Sequence, residues 1–184
     1  MNATPVISVR GLCKSFGALV VAQSIDLDLM PGARVALIGP NGAGKTTFVN
    51  QLTGFLRLDA GTIRLQGEDI GRLVPELRVK RGLARTHQIN TLLLEDSVRE
   101  NVAISIAERE GFAWRMVRFG RQRRQCLAEA QALLEEMEIG GVAERRVSEL
   151  PYGQQRLLEI AIALSLKPRV LLLDEPAAGP TLRG

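Results

Sequence analysis

The stretch ALIGPNGAGKTTFVNQL, Ala36 to Leu52, constrains the fold more than any other part of the chain. An apolar run ends in a knot of glycines, one lysine and two threonines, and apolar residues then resume at helical spacing. Gly39-Pro40-Asn41-Gly42-Ala43-Gly44-Lys45-Thr46 fits G-x-x-x-x-G-K-[ST] at every fixed position, with a strand expected before it and a helix after it. Glycines let successive backbone N–H groups turn inward around phosphate oxygens, where Cβ atoms would collide. The helix starting near Gly44 adds the positive end of its dipole at the same place. Lys45 then bridges β- and γ-phosphates, the Thr46 hydroxyl ligates Mg²⁺, and Thr47 adds a further hydroxyl. The loop is sparse in side chains because its backbone is the binding surface. A glycine turn that merely joins strand to helix would not need the lysine and both hydroxyls in register.

A partner for this loop lies far along the chain. LLLDE, Leu171 to Glu175, reads as a buried strand that delivers two acids to its end. Asp174 is placed to hold Mg²⁺ through water and Glu175 to polarise an attacking water. Acids also simply terminate strands, so the pair gains its meaning from the glycine loop.

Around these motifs, VISVRGLC and SIDLDLM alternate apolar and polar residues, as half-buried antiparallel strands do. Asp26 and Asp28 should face solvent, with Ile25, Leu27 and Leu29 inward. RVALIG, Arg34 to Gly39, reads as a strand buried on both faces. Phe48, Val49, Leu52 and Phe55 share one side of the helix begun at Lys45. DAGTIRLQGEDI reads as turn, short strand and turn, and GLARTHQ as another strand. From about Glu95 to Leu150 the texture turns helical; Leu127, Ala130, Leu134 and Met137 make an amphipathic face. QRLLEIAIALSL is apolar nearly all round and reads as a buried helix. These elements imply an α/β fold with a mostly parallel sheet, interrupted by a helical block.

Composition adds bounds. The 184 residues suit one domain, and 46% hydrophobic with 24% charged content is that of a globular chain. The formal net charge is +4, with arginines concentrated between Arg115 and Arg124 beside the only tryptophan, Trp114. That segment reads as a solvated helical face or loop, because its aromatics do not recur as a base-stacking platform requires. Cys13 and Cys126 lack metal-type spacing and read as reduced thiols. No secretory leader and no membrane-spanning run is visible, so a soluble protein is expected.

Taken in order, the motifs resemble those of the ATP-binding cassette (ABC) proteins, the nucleotide-binding subunits of ABC transporters. GPNGAGKTT resembles the Walker A loop, THQ ending at Gln88 the Q-loop, LPYGQQR (Leu150 to Arg156) the signature motif, and LLLDEP the Walker B strand with its catalytic glutamate. The text from FGALVVAQSIDLDL to DEPAAG is similar to the ATPases of branched-chain amino-acid importers, the LivG type, over about Ser8 to Gly179. The resemblance implies a P-loop NTPase (RecA-like) core with N-terminal antiparallel β strands and an inserted helical subdomain. Its expected division is residues 1–91 and 166–184 for the core and 92–165 for the helical part. It implies ATP and Mg²⁺ as ligands, with Glu175, Gln88 and Lys45 catalytic and Thr46, Gln88 and Asp174 at the metal. Without it Gln88 would read as a surface glutamine. Phe16 falls where the family stacks an aromatic ring on adenine, and from the residues alone it reads equally as a core phenylalanine.

In the family two cassettes dimerise head to tail. Each signature motif, here Tyr152, Gly153 and Gln154, closes over the nucleotide of the other. The expected partners are therefore a second ATPase subunit, transmembrane permease subunits and, indirectly, a periplasmic binding protein, with no nucleic acid. The expected place is cytoplasmic, on the inner face of the membrane. Two departures stand out. Pro151 replaces the signature serine and Tyr152 its first glycine, though a tyrosine there is usual in this subfamily. After DEPAAG the family continues with Leu-Asn-Pro and a strand ending in a switch histidine, whereas here Gly179-Pro-Thr-Leu-Arg-Gly184 follows and His87 is the only histidine. A one-base slip in the reading frame would account for those residues, and a truncated chain or an unrelated natural terminus is the plainer alternative. Such a chain is expected to have an unpaired strand edge and reduced stability. The alternative is a nucleotide-holding module with little hydrolysis, which single-turnover phosphate release would distinguish.

Overall fold

The computed structural model describes residues 4–86, 92–111 and 120–173. These divide into two compact units, one up to Ala84 and one from Arg85 onward.

The first unit is built on alternation. β1 (Ile7–Phe16) and β2 (Leu19–Leu29) form an antiparallel hairpin, closed where Phe16 faces Leu19 across a turn with Gly17 at φ 58°. β3 (Ala60–Leu65) pairs with the other edge of β1, and the short β4 (Glu68–Asp69) with β3, giving the order β2-β1-β3-β4. As the pattern demands, Asp26 and Asp28 are exposed while Ile25, Leu27 and Leu29 are half-buried. Ile7, Val9, Leu12 and Ile63 are fully buried on the inner face. Beside them stand α1 (Lys45–Thr53), with Phe48 and Leu52 buried, and α2 (Pro75–Lys80). Phe55 does not join this face. Gly54, at φ 88°, ends α1 in a left-handed cap, and Phe55 is left exposed beyond it.

Arg78 on α2 is buried to 2% exposure without a carboxylate in its hydrogen-bonded set. Its guanidinium donates instead to four carbonyls. Nη1 reaches Gln51 and Leu52 (2.7 and 2.6 Å), Nη2 reaches Gly71 (2.9 Å) and Nε reaches Leu73 (2.9 Å). Two of these belong to the last turn of α1, where carbonyls lack helical partners and the dipole is negative. Burial pulls the guanidinium pKa down, with Asp69 opposing.

One expectation needs correcting here. Arg34 to Gly39 is not a strand buried on both faces. It is irregular and open, with Val35 at 60%, Leu37 at 47% and Ile38 at 89% exposure. No neighbouring strand pairs with it among the described residues, and an apolar run becomes a buried strand only when a ladder and a covering layer exist. The regular sheet is the antiparallel one of the first unit, and β5 (Leu83–Arg85) and β6 (Val170–Leu172) are short strands.

The second unit is helical. α3 (Val98–Arg109), α4 (Gly120–Glu136) and α5 (Tyr152–Ser165) enclose a core of Val98, Val102, Ile106, Ala130, Leu134 and Leu158. Ala130 and Leu134 are fully buried at the spacing read from sequence, with Leu127 and Met137 packed against the core. α3 opens on a capping box: Glu100 N–H donates to Ser97 Oγ and Ser97 N–H to Glu100 Oε2. α5 is buried along one side only, since Leu157 and Leu164 remain 39% and 37% exposed. β6 spans three residues, and Leu173 beyond it is 65% exposed, so the apolar text there is less buried than it reads. Thr86 N–H donates to the Leu172 C=O of β6. Among the described residues no helix is long and apolar enough to cross a membrane, and both cysteines are free.

A polar staple ties the helices. Arg109 on α3 makes a two-pronged bond to Glu129 on α4 (3.0 and 2.9 Å) and donates to the Ser165 carbonyl at the end of α5 (2.6 Å). Lys167 adds a second cation 2.8 Å from Glu129. The Arg109 bond, then that of Lys167, holds the Glu129 carboxyl down to about 2, from 4.5. A carboxylate with a depressed pKa stabilises the fold above its unfolded value and loses that contribution as pH falls through the folded one. The urea midpoint should therefore drop between about pH 4.5 and 2, and Glu129→Gln should lower neutral-pH stability while flattening that drop. Arg78→Met should cost about 2–4 kcal/mol in urea unfolding, because four carbonyls lose their donor.

Candidate functional site

The glycine loop sits in the first unit, between the open run 34–39 and α1. Gly42 and Gly44 both lie in the left-handed region, at φ 82° and 84°. At Gly44 the requirement is doubled. A Cβ there would stand 2.9 Å from the Val21 carbonyl oxygen and 3.0 Å from Val21 Cγ1, so strand β2 passes hard against the mouth of the helix. Gly44 is the N-cap of α1 and supplies no side-chain acceptor, and the first turn holds no acid. The first helical bond runs from Phe48 N–H to Gly44 C=O at 2.8 Å. The amides of Lys45, Thr46 and Thr47 thus precede the ladder at the positive end of the dipole. The contrast with the capping box of α3 is direct: one helix closes its own N-terminus with side chains and the other has no side-chain cap and no acid there, the arrangement that suits an anion.

Lys45 folds back over the loop. Its Nζ donates to the carbonyls of Gly39 (2.5 Å) and Pro40 (2.9 Å), and Ala43 N–H donates to Pro40 C=O (3.2 Å). The ammonium and the open amides therefore belong to one loop, which suits a polyphosphate. Asn41, Gly42, Ala43 and Thr46 are exposed, Thr47 half-buried. On the flank lies a cavity of about 270 Å³ lined by Val21, Ile25, Leu37, Ile38, Gly44 and Phe48, among others. Phe16 stands 50% exposed at the end of β1, so it is not a core phenylalanine.

For Mg²⁺, the exposed Thr46 hydroxyl at the start of α1 is the kind of oxygen donor this hard cation takes. The other residues expected around the metal and the reacting water, Gln88, Asp174 and Glu175, lie outside the described residues, as do His87 and Trp114.

In the second unit, Tyr152 and Gly153 open α5 and are exposed, with Gln154 half-buried. This N-terminus also carries no side-chain cap and no acid in its first turn. The N–H groups of Gln154 and Gln155 both turn back to the Pro151 carbonyl. Arg156 Nε donates to the Tyr152 hydroxyl at 2.8 Å, and its guanidinium lies 5.0 Å from the ring centroid and binds Glu159. The structure adds residues that patterns did not single out. Val21 fixes why position 44 must be glycine, Arg78 holds the far end of α1, and Lys14 with Asp59 stands beside Phe16. Polar contacts made across 20 or more residues leave no local periodicity to read.

Gly42→Ala should cost about 1–2 kcal/mol for the left-handed backbone alone. Gly44→Ala should cost distinctly more in the same urea titration, because its Cβ also meets Val21.

The ABC transporter family model matches residues 22–178. The chain is 38% identical over 180 residues to the high-affinity branched-chain amino acid transport ATP-binding protein BraF of Pseudomonas aeruginosa, covering 95% of this chain and 71% of that one. It is 39% identical, with the same coverage, to LivG of Escherichia coli strain K12, which carries the same description. Among solved structures, the ADP conformation of an ATP-binding cassette of an ABC transporter superposes with a TM-score of 0.81 at 29% identity, over 96% of this chain and 71% of that one. The chain belongs to the ABC transporter family and has the P-loop fold of its ATP-binding cassettes.

Proposed function

We propose that the chain binds ATP with Mg²⁺ at Gly39–Thr47 and hydrolyses it as the energy-supplying subunit of an importer for branched-chain amino acids or related amides. The observation that carries the binding half is the uncapped, acid-free start of α1 behind two left-handed glycines, with the Lys45 ammonium folded over the same loop. The transport half is supported by the relatives, which are named for branched-chain amino acid transport.

In this reading the amides of Gly42 and of Gly44 to Thr47 surround the phosphate chain and Lys45 leaves its loop carbonyls to bridge β- and γ-phosphates. Thr46, with Gln88 and Asp174, would hold Mg²⁺, which neutralises charge on the phosphates. Glu175 orients and polarises the attacking water, and Gln88 senses the γ-phosphate. Phe16 stacks on adenine. The rate then comes from positioning and electrostatics rather than covalent chemistry. Tyr152, Gly153 and Gln154 present the open start of α5 to the nucleotide of a second cassette in a head-to-tail dimer. Permease subunits at the inner face of the membrane complete the assembly. Residues 1–91 with 166–184 serve as the core and 92–165 as the helical subdomain.

Lys45→Ala should weaken ATP binding by about tenfold or more in a calorimetric titration with Mg²⁺, since a charge-assisted bond to phosphate is lost. Unchanged affinity would remove the loop from the reading.

A further inference from the structure

The Phe16 ring is not left to find its own orientation. Lys14, two residues earlier on β1, places its Nζ 5.4 Å from the ring centroid. Its ammonium is in turn held by Asp59, 2.6 Å away, at the start of β3. Asp59 is itself fixed by backbone. Ser15 N–H donates to its second carboxylate oxygen at 2.8 Å, and its own N–H donates to the Cys13 carbonyl at 3.1 Å. Lys14 first, then the Ser15 amide, keep the Asp59 carboxyl below the ordinary range. The Lys14 side chain is only 13% exposed, unusual for a surface lysine, so its stem is packed and its head is directed.

The same strand is tied to the phosphate loop. Gln51 on α1, fully buried, donates from Nε2 to the Cys13 carbonyl at 3.2 Å, and Val21 of the paired strand β2 abuts Gly44. The ring at the end of β1 is thus registered to the helix that opens on the phosphates.

We infer that Lys14, held by Asp59, is a positioning residue for the nucleotide base: its ammonium rests on one side of the Phe16 ring and leaves the other for the base. A cation over an aromatic face is attracted by the ring quadrupole, which restrains the ring. A half-exposed phenylalanine on a hairpin tip would otherwise lose rotamer freedom each time a base stacked on it. This inference rests on the reading of Phe16 as the adenine platform. It extends that reading to two residues that touch neither phosphate nor metal.

The test compares ATP with inorganic tripolyphosphate, which meets the phosphate loop and offers no base. On the full chain with Mg²⁺, Lys14→Met should raise the ATP dissociation constant about threefold to fivefold, the weight of the rotamer freedom that an unrestrained ring gives up when a base stacks on it. Tripolyphosphate binding should stay unchanged, which also reports that the variant is folded. Lys14→Arg should recover ATP affinity, and Asp59→Asn should fall between wild type and Lys14→Met. Equal losses for both ligands would mean that Lys14 only supports the fold, and no loss for either would remove it from the site; either result overturns the inference. Phe16→Ala separates the underlying reading. If it keeps full ATP affinity, the platform itself is wrong and the inference falls with it. If it loses affinity while Lys14→Met does not, the platform stands and only the role of Lys14 is refuted.

Discussion

Everything at the candidate site depends on where α1 is held. At its N-terminus the helix starts from a residue that can only be glycine, because β2 passes within van der Waals contact of the missing Cβ. At its C-terminus the Arg78 guanidinium gathers two of its last carbonyls and two more, of Gly71 and Leu73, from the segment before α2. The helix is fixed in register and along its axis by those two contacts. Its dipole is met by a buried cation at the negative end and by no side-chain cap or acid at the positive end. An anion is what that arrangement accommodates. The glycines, Lys45 and the threonines are consequences of placing a helix mouth in this way.

How far the sequence reveals this varies with the range of the interactions. The loop is legible because its constraints are local. Positive φ at Gly42 and Gly44, the lysine after them and the helix period all fall within a few residues. The β1–β2 hairpin is legible because one face is wet, as the exposure of Asp26 and Asp28 shows. Arg34 to Gly39 is misread for the opposite reason. An apolar run states a willingness to be buried, and a second strand must supply the ladder and the cover. Among the described residues none does, and Ile38 stays 89% exposed. α5 is misread more mildly: apolar residues surround it, but neighbours cover only one side.

The polar contacts were the least legible. Arg78, Lys14–Asp59 and Arg109–Glu129–Lys167 each join elements distant in sequence, and none has a pattern of its own. They divide by environment. Arg78 is buried among carbonyls, where removing it strands acceptors. The other two are partly exposed: the Lys14–Asp59 pair orients a ring, and the Arg109–Glu129–Lys167 cluster ties α3 and α4 to the end of α5. Fittingly, the buried one secures the helix and an exposed one aims a ring.

Backbone amides at the mouth of α1 are, in this reading, the phosphate ligands. Amide ¹⁵N and ¹H chemical shifts of Gly42, Gly44, Lys45 and Thr46 during titration with ADP and Mg²⁺ test it most directly. The account predicts large downfield proton shifts at these amides, as charge-assisted bonds to phosphate form, with small changes at the capped start of α3. Shifts that spare the loop while ADP binds would place the nucleotide elsewhere and contradict the account.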